Sequence, residues 1–74
     1  MDDEMMTVTA TGLVHHDGGS LTIFKGIEDA TGDEIRFVVE HRFVNDLFWS
    51  VAGGEEPQVA VPEWAVVRRV YADR

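Results

Sequence analysis

His41-Arg42-Phe43-Val44-Asn45-Asp46-Leu47-Phe48-Trp49-Ser50-Val51-Ala52 admits two readings, and the architecture turns on which one holds. At 100° per residue, Phe43, Val44, Leu47, Phe48 and Val51 fall within an arc of roughly 140°. Arg42, Asn45, Asp46, Trp49 and Ser50 occupy the other side. That pattern is an amphipathic helix of about three turns, and Gly53-Gly54 directly after it is a good stop signal. The rival is a β-hairpin turning at Asn45-Asp46, because Phe, Val and Trp all favour strands. Asn-Asp is a weaker hairpin turn than Asn-Gly, and the hairpin would mix apolar and polar residues on both faces. The spacing therefore predicts a helix over 41–52.

Upstream, Thr7 to His15 is rich in β-branched residues and predicts a first strand, with Gly12 marking a bulge or a close backbone approach. Asp17-Gly18-Gly19 suits a tight turn. Ser20 to Ile27 predicts a second strand, with Leu21, Ile23 and Ile27 on one face and Thr22 and Phe24 on the other. A polar connection follows, and Glu34 to Glu40 predicts a third strand in which Ile35, Phe37 and Val39 alternate with Arg36, Val38 and Glu40. Downstream, Gln58 to Val61 is a short strand, and Pro62 confines it to a sheet edge or breaks it. Glu63 to Tyr71 predicts a last strand. The expected class is α+β: an antiparallel sheet of four to five strands with one amphipathic helix, in the order β-β-β-α-β(-β). The helix either packs on a face or plugs the end of a small barrel. An SH3-like all-β barrel is the alternative if 41–52 is a hairpin. Residues 1–6 read as a frayed acidic tail, and 7–74 as one globular domain.

Fourteen acidic residues stand against six basic ones in 74, a formal charge of -8, and there is no cysteine. This balance argues against direct binding to a nucleic-acid backbone, which needs clustered Lys and Arg. It also argues against an anionic membrane surface. Thiol catalysis, disulfides and thiolate metal sites are excluded. The acidic N-terminus lacks the charge of a signal peptide, so the expected location is cytoplasmic. A domain this small has a core worth about 3–5 kcal/mol, and self-association into a homodimer is a natural way to gain buried area.

Four groups of residues invite a functional reading. His15-His16-Asp17, with His41, is the most metal-like set, but adjacent histidines in a strand point to opposite faces, and no metal or cofactor is expected. Glu28, Asp29, Asp33 and Glu34 place four carboxylates within seven residues. They read as a solvated acidic turn, or as an anionic surface facing a basic partner. Trp49 lies opposite the apolar arc of the helix, which makes it an interface candidate, or a core residue if the helix is rotated. Trp64 reads as core or rim of the sheet. One of Arg68 and Arg69 must face opposite the other, with the chain's own acids as partners.

Glu40-His41-Arg42, then the amphipathic segment, then Gly54-Glu55-Glu56-Pro57 and Glu63-Trp64, resembles small actinobacteriophage proteins over residues 34–67. Phe43 stands where that pattern would put a helix-starting proline. The resemblance implies a phage context, in which small acidic proteins bind and block host proteins. It implies no activity. The expectation is a non-enzymatic accessory protein that binds a host or phage protein, with Trp49, Arg42, Glu28, Asp29, Asp33 and Glu34 as its contact surface. The alternative is a sponge for a signalling nucleotide at an oligomer interface, using Arg36, Arg42 or Arg68 for phosphate. An enzyme is not expected.

Overall fold

The computed structural model describes residues 4–16 and 21–72. Strands β1 (Met5–His16), β2 (Thr22–Glu28) and β3 (Glu34–Phe37) precede helix α1 (His41–Ala52). Strand β4 (Gln58–Pro62), a single 3-10 turn (Glu63–Ala65) and strand β5 (Val66–Val70) follow it. All neighbours are antiparallel, in the order β4-β1-β2-β3-β5. The protein is thus an α+β fold with five strands and one helix. No described helix is long and apolar enough to cross a membrane.

The sheet cannot be flat. Five strands side by side set the outer two about 19 Å apart. Yet β4 and β5 are those outer strands, and only Glu63, Trp64 and Ala65 lie between Pro62 and Val66. That link reaches at most about 14 Å. The sheet must curl until its edges approach, and the Val38 N–H, donating to the Ala65 carbonyl at 2.9 Å, ties the link to the end of β3. The result is a strongly curled, barrel-like sheet whose first four strands follow the Greek-key order β4-β1-β2-β3.

Strand β1 bends to serve two walls. Residues 5–9 pair with β4, residues 8–16 pair with β2, and the register shifts between Ala10 and Gly12 and again between Leu13 and His15. Such bulges increase local bend and twist. The interior holds Val8, Ala10, Phe24, Ile35, Phe37, Val61 and Ala65, joined by Leu47 of α1. Phe48 and Val51 pack against the same cluster. Of the two faces of β2, the one with Thr22 and Phe24 is inward.

Five expectations need correction. Met5 and Met6 are not tail: they pair with Pro62 and Val61, because β4 offers them backbone partners. Strand β3 ends at Phe37, short of Glu40. Glu63, Trp64 and Ala65 form the 3-10 turn instead of a strand, and Trp64 is 68% exposed, neither core nor rim. Phe43 lies on the apolar arc of α1 yet is 48% exposed. The Asp17-Gly18-Gly19 turn lies outside the described residues.

Candidate functional site

Residues directly opposite in an antiparallel ladder share a face, with their Cβ atoms about 5 Å apart. Lys25 of β2 is opposite Arg36 of β3, and Arg36 is opposite Arg68 of β5. Phe24 and Ile35, their strand neighbours, are fully buried, so this row of three cations stands on the outside of the barrel. Like charges directly opposite destabilise a sheet. None of the three has a carboxylate partner among the described residues. The Arg36 Nε is itself buried and makes no hydrogen bond. Beside the row run Ile27, Glu34 and Val70, also opposite one another. On the β1 side, the Lys25 stem lies across Gly12, where a Cβ would come within 2.7 Å of Lys25 Cε.

The acidic turn does not form one surface. Asp33 is 1% exposed, so it is not a contact residue. Its Oδ2 accepts from Arg69 Nη1 at 2.7 Å, and its Oδ1 accepts from the Ala72 N–H at 2.7 Å. Arg69 also donates to Glu28, whose side chain is 13% exposed. The cause is strand alternation: Arg69 is opposite Ile35 and shares its inward face. The hydrogen bond that Arg69 donates to Glu28, and next the one it donates to Asp33, raise the Arg69 pKa above its ordinary value. A raised pKa adds stability that is complete below the unfolded value and lost only at more alkaline pH, so this ion pair keeps its cation throughout the usual range. Asp29 is exposed and accepts from Thr9 Oγ1 at 2.8 Å and Gln58 Nε2 at 2.7 Å. Glu34 lies half-buried on the outer face.

Trp49 is 65% exposed on α1. Its Nε1 donates to Asn45 Oδ1 at 3.2 Å, one helical turn earlier, and its ring meets Phe48 edge-on at 5.5 Å. Arg42, two turns back, pairs with Glu40 at 3.0 Å and lies over the Phe43 ring. Both members of that pair are exposed, so it adds little stability. His16 Nδ1 is 2.8 Å from Thr22 Oγ1, and its ring packs on Phe48. His41 opens α1 and shares a hollow of about 270 Å³ with His16, while His15 is not among the residues lining it. No group of three or more metal-ligating side chains occurs among the described residues. A larger hollow of about 710 Å³ is lined by Glu4, Glu28, Asp29 and Glu63 together with Arg69.

Nothing local in the sequence singles out Lys25. The alternation put Arg36 and Arg68 on known faces of their strands, but only the pairing of β3 with β5 brings the three cations together. No protein-family model, curated protein or solved structure matches the chain.

Proposed function

We propose that this chain is a non-enzymatic accessory protein, phage-encoded and working in the host cytoplasm, that binds a host protein through a basic patch on that partner. The observation that carries the reading is Trp49. An exposed indole held by Asn45 and Phe48 loses little entropy on docking and brings a large apolar area. Such side chains are the usual anchors of protein interfaces. The net charge of -8 selects against acidic partners and speeds encounter with basic ones. Glu4, Asp29 and Glu63 around the larger hollow give that charge a local focus. Trp64 and Tyr71, 68% and 70% exposed, are further apolar surface that a second copy or a partner would cover.

Trp49→Ala is expected to change folding stability by no more than about 0.5 kcal/mol, as surface substitutions do. It is expected to weaken partner binding at least about tenfold, as loss of an interface anchor does. Tagged wild-type and Trp49→Ala proteins are purified in parallel from host cells. A basic protein recovered with the first and lost with the second supports the reading. Unfolding of the variant would make Trp49 part of the core and end this site assignment. Light scattering on the pure chain reports whether it is a dimer.

A further inference from the structure

We propose that the outer face of β2, β3 and β5 is a binding site for a small phosphate-bearing ligand, a nucleoside diphosphate or triphosphate, held by Lys25, Arg36 and Arg68. Acids outnumber bases by fourteen to six, so an unpaired cation is the exception to be explained. Of the five cations among the described residues, Arg42 and Arg69 have carboxylate partners. The three that have none are the three that stand in one row. Their mutual repulsion weakens the free protein, and an anion laid along the row removes it. The Arg36 Nε–H is buried with no acceptor, which adds to the cost of holding this cation in the free protein, although the Nε–H itself is out of a ligand's reach.

The residue types fit phosphate. Two guanidinium forks give paired N–H donors, and a lysine adds a mobile point charge. With steps of about 5 Å the row spans about 10 Å, the reach of two or three linked phosphates. Ile27 and Val70, 37% and 41% exposed, lie next to it on either side of Glu34, so a base finds apolar contact at the two ends of that second row. Size follows from charge. A ligand confined to the row feels its three cations and, among the acids, chiefly Glu34 about 7 Å from Arg36, because acids beyond about 8 Å are screened at physiological salt. A long polyanion would run off the row onto an acidic surface, losing the counterion release that drives nucleic-acid binding. The site is separate from Trp49, so either proposal can fail alone.

Calorimetric titration of the full chain with ATP, inorganic tripolyphosphate, adenosine, a twelve-residue oligothymidylate and a glutamate-rich peptide tests the site. ATP and tripolyphosphate are expected to bind, with affinity falling steeply as salt rises, and adenosine is not. Arg36→Gln and Arg68→Gln are each expected to weaken ATP binding about tenfold or more, the loss of one charge-assisted contact. Without ligand, Arg68→Gln is expected to melt no lower than wild type, since it relieves repulsion. A merely structural arginine would show the reverse. Silence with both ATP and tripolyphosphate, or undiminished binding by the two variants, would overturn the proposal. Tighter binding of the oligonucleotide than of ATP would overturn the choice of a small ligand. Binding of the glutamate peptide that ATP does not displace would hand the face to an acidic protein.

Discussion

Gly26→Ala is expected to remove about 2–2.5 kcal/mol of stability, half or more of what a core this size supplies. Gly26 is buried on the inward face of β2, opposite Ala10 on one side and Ile35 on the other. A Cβ there would lie 2.5 Å from the Thr9 carbonyl oxygen, 2.7 Å from Val8 Cγ1 and 3.1 Å from Ala10 Cα. Two of these atoms are backbone and cannot rotate away. Strand β1 would have to lift off β2 at the centre of the barrel. Overpacking of this kind costs about 3 kcal/mol, while alanine's lower entropy in the unfolded chain returns only about 0.5–1 kcal/mol. A core worth about 3–5 kcal/mol does not absorb the difference comfortably. Gly12→Ala is the control. There the new methyl meets chiefly the far end of the Lys25 side chain, which can swing aside. Urea unfolding followed by circular dichroism compares the three proteins. Equal midpoints for Gly26→Ala and wild type would mean that β1 and β2 are not in the register Ala10–Gly26.

What the sequence made legible was whatever depends on local period. Phe43, Val44, Leu47, Phe48 and Val51 recur at helical spacing, so α1 is found over the expected residues, 41–52. Trp49 is exposed because that spacing puts it off the arc. The bulge at Gly12 and the edge position of β4 before Pro62 were legible for the same reason: each is a statement about one backbone position. What depends on distant pairing was not. The curl of the sheet follows from a three-residue link joining its two edges, and nothing local announces that β5 will lie beside β3. The cation row is therefore invisible until the register is known. Asp33 reads as a solvated acid beside Gly32. Its burial is decided by Arg69, 36 residues later in the chain.

Asp33→Ala carries the other large effect, an expected loss of about 3 kcal/mol, the cost of orphaning one member of a buried ion pair. The substitution removes the acceptor of the Ala72 N–H as well as one of the two carboxylates on Arg69. Glu28 remains on Arg69, which keeps the loss at the low end for such pairs. Asp33→Asn keeps the shape and one acceptor, and is expected to fall between wild type and alanine in urea midpoint. A double-mutant cycle of Asp33→Ala with Arg69→Leu separates the pair from the rest. If the two single losses simply add, the contact contributes nothing of its own. The consequence reaches the outer face. Side chains alternate along β5, so Arg69 held inside by Asp33 and Glu28 is what keeps Arg68 outside, in line with Arg36 and Lys25. A slip of one residue would exchange the two arginines. Asp33→Asn protein that is still folded should therefore bind ATP more weakly than wild type, although Asp33 lies on the opposite face from the ligand. Unchanged affinity in that variant would show that β5 holds its register without the buried acid.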